Sequence, residues 1–157
     1  MIGELKSDEI EELLKRETTG RIGCHADGRT YVVPITYVYE AGSVYGHSAE
    51  GMKVRMMRMN PSVCFEVDHI EDSANWGSVI AWGVFEELRG EAALRAMDLW
   101  IQRFAGVIMS ETGHPSLLVR EHGLPTKEDG KSVVLFRIRL TEKTGRFEKL
   151  RAGAKQW

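Results

Sequence analysis

The chain has 157 residues, of which 43% are hydrophobic and 28% charged, and a formal net charge of -2. This suffices for one domain, residues 1–157, with a buried core, and it lacks the basic excess by which nucleic-acid binders displace counterions. No apolar run nears the ~20 residues that span a bilayer, and the start MIGELKSDEIEELLKRE is charged rather than leader-like, so a cytoplasmic protein without membrane or nucleic-acid partners is expected.

Ser7, followed by Glu11 and Glu12 with Ile10, Leu13 and Leu14 apolar, predicts a capped amphipathic helix to about Arg16. Arg21 to Ala26 reads as a strand, and Asp27-Gly28 is a two-residue hairpin signal. Thr30 to Tyr39 is rich in Val, Ile, Thr and Tyr and predicts a second strand. Pro34 within it has no N–H for a ladder, so one side of that strand lacks a neighbour or carries a bulge. Ala41-Gly42 turns into a third strand, Ser43 to His47, and the three are expected to form an antiparallel meander. Glu50 to Met59 suits a short helix, stopped by Asn60-Pro61. Ser62 to Asp68 and Val79 to Leu88 read as strands around a polar loop, His69 to Asn75. Glu91 to Phe104 repeats apolar residues at helical spacing. Ser110 to Gly130 is a glycine- and proline-punctuated loop, of a length that is often functional. Ser132 to Leu140 closes the core region, residues 7–140, and the polar, basic tail 141–157 is expected to be at best partly ordered.

About six strands with short turns and three helices predict a mainly β fold, an antiparallel barrel with peripheral helices. No GxGxxG follows a strand, so a Rossmann site is not expected. Cys24 and Cys64 belong to no CxxC or Cys/His cluster, so they read as buried reduced thiols and no metal site is predicted. His25, His69, His114 and His122 read as surface or loop residues. Met52, Met56, Met57 and Met59 are expected in the core or an interface, as is Trp82, and Trp100 is expected on a helix that packs in a dimer.

The segment Tyr45 to Arg58, YGHSAEGMKVRMMR, carries the most chemistry. A strand ends at His47, a small polar turn follows, and a helix starts near Gly51. The first turn of a helix presents unpaired N–H groups and the positive end of the dipole, which favour an anion. Ser48 adds a hydroxyl, Gly51 allows close approach, and Lys53 adds a full charge; Arg55 or Arg58 can join, although on an ideal helix the three basic residues do not all share one face. By itself the pattern equally suits an ordinary helix with a solvated basic face. His47 at the strand end is the candidate for touching a ligand or positioning a substrate.

The run RIGCHADGRTYVVPITYVYEAGSVYGHSAEGMKVRMMRMNPSVCFEVD, then WGSVIAWGVFEEL, resembles the pyridoxamine 5'-phosphate oxidase-like, FMN-binding split-barrel family. It is most similar to the branch related to nitroimidazole-resistance reductases. The resemblance covers roughly residues 7 to 140 and rests on the order of its pieces: a VVPI strand, Y-x-H-S, Gly-x-Lys, N-P-x-V-x-F and W-x-S-V-I-x-x-G. It implies a split antiparallel β-barrel and a homodimer with FMN at the subunit interface. It further implies that Val33, Pro34, Ile35, Thr36 and Tyr37 run along the flavin and that His47 and Ser48 contact its phosphate or edge. Lys53 matches the phosphate-binding lysine, Ser78 a polar position reaching the flavin, and Trp76 an aromatic wall beside it. The implied activity is reduction of a small organic substrate, nitroaromatics among the candidates, with electrons from NAD(P)H. The alternative is a protein that holds flavin, haem or another tetrapyrrole without turnover. Vitamin B6 oxidation is not expected, because Met52 stands where those oxidases carry an arginine and no C-terminal substrate-binding motif is recognisable.

Overall fold

The computed structural model describes residues 1–104 and 133–150. In chain order the elements are β1 (Ile2–Glu4), α1 (Ser7–Arg16), β2 (Thr19–Ala26), β3 (Arg29–Thr36), β4 (Val38–Glu40), β5 (Ser43–Ala49), α2 (Met52–Met59), β6 (Ser62–Asp72), β7 (Asn75–Glu87), α3 (Gly90–Phe104) and β8 (Val133–Glu148). The strands form one antiparallel sheet of eight, in the order β3-β2-β6-β7-β8-β5-β4, with β1 added to β8.

Asp27 and Gly28, with φ of 52° and 69°, make the tight turn that joins β2 to β3. The expected meander does not form, because Tyr37 divides the long Thr30–Tyr39 run. Its N–H leaves the strand to donate to the Thr18 carbonyl at 2.9 Å. Its hydroxyl donates to the Leu14 carbonyl at 2.7 Å, and its ring meets the edge of Phe65 at 4.9 Å. β3 therefore pairs only with β2, while β4 crosses to the other end of the sheet and pairs with β5. One residue separates the two ends of the sheet, so the sheet closes on itself into a split barrel.

The barrel interior is filled by Ile22, Val44, Phe65, Val67, Val79, Phe136 and Ile138, and α1 plugs it with Ile10, Leu13 and Leu14. Glu9, not Ser7, caps that helix, accepting from the Lys6 N–H at 2.7 Å. Glu11 on its outer side accepts from Tyr39 at 2.7 Å and is bridged to Lys143, which ties α1 to β4 and β8.

Other expectations need correction. Among the described residues eight strands replace six, and β1 carried too little pattern to be read. The predicted loop His69–Asn75 is the end of β6, a two-residue turn and the start of β7. Its polar residues stand on a hairpin that projects beyond the core, so His69 lies on a strand, at the surface as expected. Thr141 to Glu148, expected as tail, is the second half of β8, paired with β7 from Trp82↔Glu142 to Trp76↔Glu148. Only its inner face is covered, by small or amphipathic residues, which hides the strand from a hydrophobicity pattern. Met56 and Met57 are core, whereas Met52 and Met59 are exposed. Cys24 is buried, but Cys64 and Trp82 face outward rather than into the barrel. Trp100 lies on a helix as expected and, 3% exposed, covers β5 of its own chain. The Ser110–Gly130 loop, His114, His122 and residues 151–157 lie outside the described residues.

Tyr37→Phe removes the hydroxyl that holds α1 to the closure and leaves the Leu14 carbonyl buried without its donor. A loss of about 1–2 kcal/mol is expected in urea unfolding, with an unchanged m-value.

Candidate functional site

α2 starts at Gly51 with no side-chain cap and no acidic residue in its first turn. Gly51 is extended, a backbone that any residue adopts, and a side chain there would point into open space, 4.0 Å from the nearest Ala49 oxygen. The space in front of the helix is thus open, with unpaired N–H groups facing it.

Lys53 stands in this first turn, half-buried. Burial lowers its pKa, and its charge is felt by Cys24 on β2 and His47 on β5. Among the described residues no carboxylate pairs with it. A half-buried ammonium without a counter-ion carries a desolvation cost that an incoming anion relieves. The neighbouring arginines differ. Arg58 is committed to Glu50, by two bonds of 2.7 and 2.9 Å, and to Glu87. Arg55 is exposed and forms no ion pair among the described residues.

His47 is placed differently from the expectation of an open turn. Its ring lies under α3, edge-on to Trp100 with centroids 4.6 Å apart, and its buried Nε2 has no partner among the described residues. Burial, with a smaller push from Lys53, lowers its pKa to about 4. His47 is accordingly neutral at pH 7 and fixes α3 against the barrel. Ser48 donates to the Ala49 carbonyl at 2.8 Å, which leaves its oxygen as an acceptor.

The strand β3 is an edge strand, which explains why Pro34 is tolerated there. Val33 and Ile35 point inward, toward the core, while Val32 and Pro34 are exposed on the outer face. Thr36 is half-buried and Tyr37 is wholly in the core. Of the predicted contacts in this segment, the outer side chains and the backbone edge are therefore the parts available to a ligand.

Ser78 is on the same outer face, three strands away, and donates to Glu66 Oε1 at 3.2 Å. Glu66 Oε2 and Asp68 Oδ1 both lie 3.3 Å from Nη1 of Arg21. Burial and the neighbouring Asp68 raise the pKa of Glu66, against the pull of Ser78 and Arg21. The sequence reading missed this cluster, although its signal was present. In SVCFEVD the alternation puts Glu66 and Asp68 on one face, opposite the buried Val63, Phe65 and Val67. Trp76 lies further along β7, where its Nε1 donates to Glu148 at 3.1 Å. It borders a cleft of about 520 Å³ between α1 and the β6–β7 hairpin, along with Arg16, His69 and Phe147. The predicted residues thus fall into three places: the uncapped start of α2 with Lys53, an outer face spanning β3 to β7, and Trp76 at the far end. No group of three metal-ligating side chains occurs among the described residues, and no helix among them is long and apolar enough to cross a membrane.

The sequence profile of the pyridoxamine 5'-phosphate oxidase family matches residues 6–147. A FAD-binding protein from Mesorhizobium loti shares 26% identity with a TM-score of 0.70, over 95% of this chain and 99% of that one. The FAD-binding protein of Mycobacterium smegmatis is 28% identical over 92% of this chain and 98% of that one, with a TM-score of 0.63. A Bacteroides thetaiotaomicron protein assigned to 5-nitroimidazole antibiotic resistance has a TM-score of 0.68 over 94% of this chain and 87% of that one. At 19% identity it supports the fold alone. An uncharacterized protein of Rhizobium meliloti is 30% identical over 84 residues, so the chain spans 56% of the length of that relative.

His47 makes stability depend on acidity. Its folded pKa, about 4, lies below the roughly 6.5 of an unfolded histidine, so its contribution is complete above pH 6.5 and is lost as pH falls toward 4. Relative to His47→Phe, which keeps the packing on Trp100, the wild type is expected to lose roughly 3 kcal/mol over that interval. Denaturant titrations of both proteins check this; parallel curves would contradict it.

Proposed function

Since the chain belongs to the pyridoxamine 5'-phosphate oxidase family, we propose that it is a homodimeric flavoprotein that holds FMN through Lys53 and the first turn of α2. The proposed activity is reduction of a small organic substrate, nitroaromatics included, with electrons from NAD(P)H. The observation that carries the proposal is Lys53, half-buried at an uncapped helix start and without a carboxylate partner among the described residues. A phosphate supplies the missing counter-charge and accepts from the free N–H groups at the same time.

The residues present fit such a group along its whole length. Lys53 sits near Cys24, which pairs with Tyr31, so the cradle lies at the hairpin end of β3. From there the strand runs through Val32 and Pro34 to Thr36, offering a free backbone edge to a ribityl chain and its exposed outer side chains to a ring. Ser48 contributes an acceptor oxygen at the mouth. Met52, in place of the arginine of the vitamin B6 oxidases, leaves Lys53 as the principal charge. Bound FMN supplies the electron and hydride transfer; the side chains bind, orient and shield it.

The outer face supports the dimer. Val32, Gly23, Cys64 and Trp82 stand in register across four strands, with Val32 65% and Trp82 40% exposed, and Ile80 beside them 40% exposed. A second copy of the chain covers this apolar stripe and encloses the flavin.

The purified protein, reconstituted with FMN, is expected to show bound-flavin absorption and to elute at twice the 17.7 kDa of one chain. Heat-released flavin analysed by chromatography separates FMN from FAD, and anaerobic mixing with NADPH or NADH is expected to bleach the flavin. Lys53→Ala weakens FMN binding by about 1.5–3 kcal/mol, tenfold or more; unchanged affinity would mean that Lys53 is only a surface charge. Trp82→Glu is expected to shift the elution toward the monomer.

A further inference from the structure

Across the outer face, Pro34 on β3 stands opposite Arg21 on β2, Arg21 opposite Glu66 on β6, and Glu66 opposite Ile80 on β7. Two residues along, Asp68 faces Ser78. The cluster is an island of charge in a face otherwise lined by Val32, Ile80 and Trp82. Arg21 is clamped by one nitrogen only. Nη1 meets both carboxylates at 3.3 Å, while Nε and Nη2 form no hydrogen bond among the described residues. The Arg21 side chain is 39% exposed. It is held at one corner, at the position opposite Pro34, with its remaining donors uncommitted among the described residues.

Adjacent strands are ~4.8 Å apart, so β3 and β7 are separated by about 14 Å, with β2 and β6 between them. A planar ring laid from the exposed Pro34 over the outer face meets Arg21 on the next strand first and Glu66 on the one after. We infer that Arg21 contacts the flavin ring, its free N–H groups donating to the ring's carbonyl edge, and that the Glu66–Asp68 pair sets how much of its positive charge the ring feels. This rests on the proposal that FMN runs along β3. Ser78 then acts chiefly by holding Glu66 in place.

The consequence is a redox one. The ring gains electron density on reduction, so a nearby positive charge favours the reduced form, and unpaired carboxylates oppose it. Lys53 acts on a phosphate whose charge is the same in both redox states, so it moves both affinities together.

The test uses the full chain loaded with FMN and reduced by dithionite against a reference dye. Arg21→Gln is expected to bind oxidised FMN within a few-fold of wild type and reduced FMN about tenfold more weakly relative to it. The midpoint potential then falls by about 30 mV, the two-electron equivalent of a factor of ten. Glu66→Gln, which frees the guanidinium, is expected to shift it the opposite way, and Arg21→Lys restores most of the wild-type value. Lys53→Ala lowers both affinities and leaves the potential unchanged. FMN binding with potentials unmoved by Arg21→Gln and Glu66→Gln would overturn the inference alone. Failure of the wild type to bind FMN would overturn the underlying reading and the inference with it.

Discussion

The closure of the sheet at Tyr37 is the constraint on which the rest of the molecule depends. A sheet of eight strands that ends where it began has one inner face, and that face holds a core together with the apolar side of α1. Tyr37 makes the junction by sending its N–H to Thr18, its hydroxyl to Leu14 and its ring to Phe65. The first takes the N–H off the strand ladder, and the other two satisfy or bury polar and apolar groups in the core. Everything available to a ligand or a partner is therefore on the outside or at the ends of the barrel.

The outside is divided by α3. Over β4, β5 and β8 the helix covers the barrel with Met97, Trp100 and Phe104, and His47 is enclosed beneath it. Over β3, β2, β6 and β7 no described element covers the sheet, and an apolar stripe with one charged island is exposed. The two halves of the predicted motif thus have different fates. His47 became part of the packing that holds a helix, while Lys53, six residues later, is turned into a half-buried position at the start of α2. Proximity in sequence did not give the two residues the same role.

Lys53 and Arg58 make the same point about charge. Both are on α2, but five residues of helix turn them to different sides. Arg58 meets Glu50 and Glu87 and is neutralised, whereas the charge of Lys53 is felt by the thiol of Cys24 and the ring of His47, neither of which is an anion at neutral pH. An anion site needs a charge that the fold has not already spent, and only Lys53 qualifies on this helix in a partly buried setting.

By itself the sequence determined the elements with strong local causes. The Asp27-Gly28 turn, the amphipathic faces of α1 and α3, the stop at Asn60-Pro61 and the alternation in Ser62–Asp68 follow from φ preferences and side-chain periodicity, which act over a few residues. It also carried the ordered motifs that place the chain in its family. The tertiary structure decided which strands pair, because β3 and β4 read as one run until a single buried tyrosine sends them to opposite ends of the sheet. It turned the polar segments 69–75 and 141–148 into paired strands, since backbone pairing needs no hydrophobic residue where one face is open to water. It decided as well which candidate groups are free. Whether a lysine keeps its charge unpaired or a histidine is sealed under a helix depends on neighbours distant in sequence, and no local pattern encodes them.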